Sequence, residues 1–254
     1  MNIEEVQDGD IFILGDHRLA CGNCQDERLL SRLIAKVKIS VVLTDPPYGV
    51  EYTESKNGFK QNLSCAIPIA NDDITSDDQY KEFSATWLTV LKKYLAEKNS
   101  IYIFNSDKMI FALKKSLDET GFKLSQLLIW VKSQAVVGRL DYLPQHELIA
   151  YGWYGRHQFR KAKDKSVLFF PKPSKSKLHA TMKPVALLRN LILNSTKLGE
   201  VVFDGFGGSG STLISCEQLK RKCIIVETEK QHCLTIIKRW EKLTGEVAKK
   251  YEFA

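Results

Sequence analysis

A chain of 254 residues, 44% apolar and 26% charged, has the length and composition of one folded domain with a substantial core. No apolar run reaches the roughly 20 residues of a membrane-spanning helix, and residues 1–10 are acidic rather than leader-like, so a cytoplasmic protein with reduced cysteines and no membrane partner is expected. The net charge of +7 is local: eight Lys or Arg face one Asp between positions 156 and 177, which favours contact with a polyanion.

In chain order, residues 11–14 and 18–21 flank Gly15-Asp16-His17 and predict a short hairpin or two strands. Residues 27–36 have helical spacing, with Leu29, Leu30, Leu33 and Ile34 on one face. Residues 39–43 read as a buried strand, 49–71 as a loop, and 77–94 as an amphipathic helix with Tyr80, Phe83, Trp87, Val90, Leu91 and Tyr94 inward. A strand at 100–104 and a helix at 109–120, stopped by Gly121, come next. Strands at 124–131 and 146–152 precede a helix at 185–194, entered through Pro184. A strand at 201–204, a helix at 211–220, a strand at 223–227 and a helix at 231–243 complete the pattern. The alternation predicts an α/β fold with a mostly parallel sheet covered on both faces.

Two of these strands end in motifs that carry chemistry. Val201-Val202-Phe203 runs into Asp204-Gly205-Phe206-Gly207-Gly208-Ser209-Gly210 and then a helix, a glycine-rich turn suited to a nucleotide-like cofactor. The next strand ends at Glu227, where a carboxylate can accept both hydroxyls of a ribose. Asp204 stands before the glycines, where it suits a cationic amino group, and the spacing is Phe-x-Gly-x-Gly (206, 208, 210); both favour S-adenosylmethionine over a dinucleotide. The other motif, Asp45-Pro46-Pro47-Tyr48, closes Val41-Val42-Leu43. An exocyclic amine of adenine or cytosine is a poor nucleophile because its lone pair is delocalised into the ring. The Asp45 carboxylate and the Pro46 carbonyl can accept its two N–H groups, the prolines stiffen the turn, and Tyr48 offers a face for a base flipped out of the duplex.

These motifs, in this order, resemble the β-class amino-methyltransferases of DNA, of phage or mobile-element type, over nearly the whole chain. Trp130-Val131-Lys132, the stretch Gly138 to Tyr142, Gln145-His146-Glu147 and Asn71-Asp72 resemble parts of that family, and His179-Ala180-Thr181-Met182-Lys183-Pro184 resembles its His-x-Thr-x-Lys-Pro signature. The resemblance implies a Rossmann-like, circularly permuted, seven-stranded mixed sheet as a single catalytic domain, with a DNA-recognition insertion at about 153–178. It implies site-specific, S-adenosylmethionine-dependent methylation of the adenine N6 amine, because Asp rather than Ser precedes the proline pair.

On this reading Asp45, Pro46, Pro47 and Tyr48 are catalytic. Asn23, Cys24, Asp45, Thr181, Lys183, Asp204, Phe206, Gly207, Gly208, Gly210, Ser211, Thr212 and Glu227 hold the cofactor. Arg156, Arg160, Lys161, Lys163, Lys165, Lys172, Lys175 and Lys177 grip double-stranded DNA. No metal is expected; Cys21-x-x-Cys24 is read as a cofactor edge, His146-Glu147 as structural, and Lys238, Arg239 and Lys242 as a solvated face. A homodimer and a partner restriction nuclease are left open. The alternatives are an N4-cytosine enzyme, a methylase of an amine in RNA or a protein glutamine, and a catalytically silent DNA-binding relative; a dehydrogenase is the weakest. Departures from the family pattern are Gly205 for Pro, Asn23 for Asp, Ala180 and Met182 for Pro and Gln, and Thr228-Glu229 for Leu-Asp.

Overall fold

The computed structural model describes residues 3, 5–47, 76–135, 141–161, 163–171 and 182–252. The first half contains β1 (Ile11–Leu14), β2 (His17–Cys21), α1 (Glu27–Ile34), β3 (Ile39–Thr44), α2 (Asp77–Leu91), β4 (Leu95–Asn105), α3 (Ile110–Thr120) and β5 (Phe122–Val131). After it come β6 (His146–Tyr154), β7 (Arg156–His157), β8 (Val167–Phe169), α4 (Val185–Ser195) and β9 (Val201–Asp204). The chain closes with α5 (Ser211–Leu219), β10 (Lys222–Glu227), α6 (Lys230–Thr244) and β11 (Lys249–Lys250).

The strands form one sheet in the order β11-β1-β2-β10-β9-β3-β4-β6-β5-β8, with β7 paired to the start of β4. Within it, the seven strands from β2 to β5 form a mixed sheet whose one reversed member is β6, antiparallel to both β4 and β5. The central strand β9 comes late in the chain, which is the expected permuted order. β11, β1 and β8 extend the edges.

Period-two alternation in the strands divides the core into two layers. Val41, Leu43 and Val202 point to one face and pack on Leu187, Leu188 and Leu191 of α4, Leu213 of α5, and Ile236 and Trp240 of α6. Val42, Val201 and Phe203 point to the other and meet Leu30 and Leu33 of α1, Trp87 and Leu88 of α2, and Leu113 and Leu117 of α3. β3 is buried along its whole length, which is why Val41-Val42-Leu43 at its centre is a continuous apolar run.

Helix boundaries follow capping chemistry. Asp26 accepts from the backbone N–H of Arg28 and Leu29 at the start of α1, and Ser76 with Gln79 forms a capping box on α2. Gly121 ends α3 in the left-handed conformation, as expected from the sequence. One expected boundary needs correction. α2 stops at Leu91, tightens into a 3₁₀ turn at Lys92–Tyr94, and β4 begins at Leu95 rather than at residue 100. β8 and β11 are strands too short to show periodicity. Within the segment expected to be an insertion, at 153–178, the first residues finish β6, and the described part contributes β7 and β8.

Candidate active site

β9 and β3 are neighbours and parallel, and the chain leaves them in opposite directions, β9 toward β10 and β3 toward β4. Their carboxyl ends therefore open a crevice at the point where the strand order reverses, the usual ligand position in such sheets. Asp204 stands at one lip and Asp45 at the other. Thr44 ties the two motifs together: its hydroxyl donates to Asp204 Oδ1 at 2.8 Å and accepts from the Gly205 N–H at 3.2 Å. The Phe206 N–H donates to the same Oδ1 at 3.1 Å. Burial pushes the Asp204 carboxyl up to about 7, although hydrogen bonds from Thr212 and Thr44 oppose the shift. Sequence reading missed Thr44; a hydroxyl directly between the apolar run Val41-Val42-Leu43 and Asp45 was its signal.

In the glycine turn, Gly208 and Gly210 have φ of 50° and 78°, and a Cβ at Gly207 would lie 2.8 Å from Ile225 Cγ1. The backbone can therefore take this path only without side chains at those points. Glu227, at the end of β10, is fixed by the N–H groups of Gly208 (2.5 Å to Oε2) and Glu229 (2.8 Å to Oε1). Phe206 is half-buried against Trp87, edge-on at 5.9 Å, and Phe83 at 5.8 Å, so α2 supplies the aromatic wall beside the turn. Cys24 is buried and fills the space a Cβ on Gly205 would need, 3.3 Å from its Sγ. A side chain at Gly205 would press on Cys24 and on Phe203, whose Cε1 is 3.2 Å from that Cβ position. Asn23 is exposed next to it and accepts from the Gln25 N–H at 2.9 Å. The solvated-face reading of Arg239 is corrected: its guanidinium donates to the Ser209 carbonyl and braces the turn from α6.

Around Asp45 the structure builds a chain of four charges. Lys183 Nζ donates to Asp45 Oδ2 and lies 3.2 Å from Glu147 Oε2, and Lys132 Nζ lies 2.9 Å from Glu147 Oε1. Both lysines are buried on aromatic faces, Lys183 4.9 Å from the Phe104 ring centre and Lys132 5.7 Å from that of Trp130. Asp45 Oδ1 is buried and has no hydrogen-bond partner among the described residues. Burial raises the Asp45 carboxyl; Lys183 opposes this and Glu147 adds to it. Burial would also raise Glu147, yet Lys183 and Lys132 outweigh it and hold that carboxyl below its ordinary value. Glu147, read from sequence as structural, thus belongs to the site, and Lys132 with it.

The expected cofactor residues Asp45, Lys183, Asp204, Phe206, Gly207, Gly208, Gly210, Ser211, Thr212 and Glu227 converge on this end of the sheet, as does Pro46. Ser211 Oγ is buried without a partner among the described residues. Tyr48, Thr181, Lys172, Lys175 and Lys177 lie outside the described residues, as do the 49–71 loop and Asn71-Asp72. Arg156 and Arg160 are not brought to the crevice. β7 pairs with Lys98 and Asn99, six residues before the carboxyl end of β4, which places it roughly 20 Å from that end. There Arg156 meets Glu97 at 2.5 Å and Arg160 meets Glu200 at 3.1 Å, while Lys161 pairs with Asp164 at 3.2 Å. Lys163 and Lys165 are exposed on the approach to β8. Among the described residues no group of three or more His, Cys, Asp or Glu could hold a metal ion, and no helix is long and apolar enough to cross a membrane.

A Rossmann-like sheet with a glycine-rich turn and a buried carboxylate facing each other at one switch point has the architecture of the α/β methyltransferases. A family model described as DNA methylase matches residues 39–239, and the chain belongs to that family. It is similar to the Type II methyltransferase M2.DpnII of Streptococcus pneumoniae, 25% identical over 235 residues covering 83% of this chain and 86% of the relative. It is similar also to the Type II methyltransferase M.HpaI of Haemophilus parainfluenzae, 27% identical over 246 residues, covering 85% and 72%. Among solved structures, the M1.HpyAVI–SAM complex superposes with a TM-score of 0.64 at 23% identity, over 87% of this chain and 98% of that one. The cytosine-N4-specific PvuII DNA methyltransferase superposes with a TM-score of 0.66 at 16% identity, over 89% of each chain.

Proposed function

We propose that this DNA methyltransferase transfers the methyl group of S-adenosylmethionine to the N6 amine of an adenine flipped out of double-stranded DNA. The observation that carries the reading is Asp45, an acceptor with one oxygen held by Lys183 and the other without a partner among the described residues, beside the glycine turn at the switch point. The donor set suits that cofactor: a buried carboxyl at Asp204 for an ammonium, the fixed carboxylate of Glu227 for a ribose diol, and the Phe206 ring for an apolar or aromatic part. When bound, S-adenosylmethionine supplies an electrophilic methyl group.

Asp45 Oδ1 accepts one N–H of the target amine and the Pro46 carbonyl the other, which localises the lone pair on nitrogen and aims it. The proton released from the amine passes to Asp45 or to water. Tyr48 is assigned the stacking of the flipped base, and Thr181 a place near the methionine end of the cofactor. Lys163, Lys165, Lys172, Lys175 and Lys177 are assigned the phosphate contacts. Asp before the proline pair supports adenine, while the same geometry serves cytosine N4.

Unmethylated DNA incubated with the protein and S-adenosylmethionine, then digested and analysed by nucleoside mass spectrometry, tests the reading. N6-methyladenine is expected. N4-methylcytosine overturns the choice of base and keeps the mechanism. Asp45→Ala is expected to abolish the product, and full turnover by that variant sinks the mechanism.

A further inference from the structure

We propose that Glu147, braced by Lys132, is a positioning residue for methyl transfer: it holds the Lys183 ammonium between two carboxylates, so that Asp45 keeps its place with Oδ1 open for the amine. The inference rests on the reading of this site as an amine-methylating one. No sequence motif assigns Glu147 or Lys132 this role, and the register of the sheet creates it. Trp130 pairs with Glu147 across β5 and β6, so Lys132, just past β5, is held beside the glutamate. The Lys132 N–H donates to the Gln145 carbonyl at 2.8 Å, which closes the same corner.

Charge and distance give the argument. Two buried lysines and two carboxylates sum to zero, so the group is tolerated only as a unit. Lys183 is shared: one oxygen of Asp45 holds it on one side, and Glu147 Oε2 at 3.2 Å draws it from the other. Lys183 already donates to Asp45, and with Glu147 neutral nothing on its other side would balance that pull. The accepting power of Oδ1 would fall and the carboxylate would shift from the position the amine requires. Lys132 prevents the converse error, since without it Glu147 would claim Lys183 outright. The groups facing Asp45 are Lys183 before α4, Glu147 on β6, Lys132 after β5, Tyr80 on α2 and Asp204 on β9. Of these, Glu147 and Asp204 oppose its ionisation, and Glu147 shares Lys183 with it.

The test compares wild type, Glu147→Gln and the charge-balanced double variant Glu147→Gln/Lys132→Met, with unmethylated genomic DNA and S-adenosylmethionine as substrates. Plateau kcat is expected to fall about a hundredfold in both variants, as for a small displacement of a reacting group. The dissociation constant for S-adenosylhomocysteine is expected to stay near the wild-type value. In Glu147→Gln, the acidic limb of kcat against pH is expected to move to lower pH, because a like charge is gone and Lys183 sits closer to Asp45. A double variant with wild-type kcat shows that Glu147 only balances charge and overturns the proposal. So does an acidic limb that does not move in Glu147→Gln. If the single variant fails to fold because Lys132 has lost its carboxylate, the double variant decides alone. Wild-type protein that methylates no base overturns the reading of the site itself, an outcome distinct from failure of the Glu147 role.

Discussion

On the proposed function, Asp204 is the residue whose protonation connects structure to cofactor affinity. Its carboxyl is buried and sits near 7, so below that pH it is largely protonated in the free protein. A cationic amino group needs the ionised form. Binding should therefore release a proton below pH 7, and affinity for S-adenosylhomocysteine should rise about tenfold per pH unit up to about 7 and level off above. Calorimetry between pH 5.5 and 8 measures this, and Asp204→Asn should flatten the curve while weakening binding. A wild-type curve without slope would place the amino group elsewhere. The stability effect runs the other way. A carboxyl raised above its ordinary value stabilises the fold at low pH and loses that contribution as pH rises through 7, so the ligand-free protein should be less stable just where it binds best. Asp45 and Asp204 are legible in the sequence because each closes an apolar strand and opens a recognisable turn. Glu147, Lys132 and Arg239 are not, because their roles arise from elements far apart in the chain, and nothing local separates them from surface charges.

Elements carry a second titration. His17, at the start of β2, accepts the Cys223 N–H of β10 on Nδ1 at 2.8 Å, so the neutral ring carries its proton on Nε2. That nitrogen lies 3.0 Å from Glu217 Oε2 on α5, the oxygen that also accepts the Trp240 indole N–H of α6 at 2.7 Å. One imidazole thus locks two strands and two helices through a single tautomer. Burial holds His17 below its ordinary value of 6.5, against the pull of Glu217. A histidine lowered in the fold contributes stability above pH 6.5 and loses it as pH falls, since the unfolded chain takes up the proton first. Denaturation midpoints at pH 7.5 and 5.5 should fall more in wild type than in His17→Gln, and equal falls would remove His17 from the account. The long elements of this layer were readable from periodicity and caps. β8 and β11 were not, because two or three residues hold no period and owe their state to the neighbouring edge.

At the scale of the molecule, the sequence showed that the charge is concentrated but not which end of the sheet it reaches. The segment starts at the amino-terminal end of β4, where Arg156 and Arg160 are paired with Glu97 and Glu200. It then climbs beside β5, and β8 ends level with Val131, near Lys132 and the crevice. A base flipped into that crevice fixes the duplex over the carboxyl ends of the strands, so charge at the far end meets bulk solvent. DNA affinity measured against salt separates the two groups. The double variant Arg156→Ala/Arg160→Ala should keep the wild-type slope, and its ion pairs, being exposed, should cost little stability. The triple variant Lys172→Ala/Lys175→Ala/Lys177→Ala should flatten the slope by about 3, near 0.9 for each phosphate that is no longer neutralised. The reverse result would place the duplex across the amino-terminal end of the sheet. The flipped base would then have no path to Asp45, and the crevice would lose its role as the site of methylation.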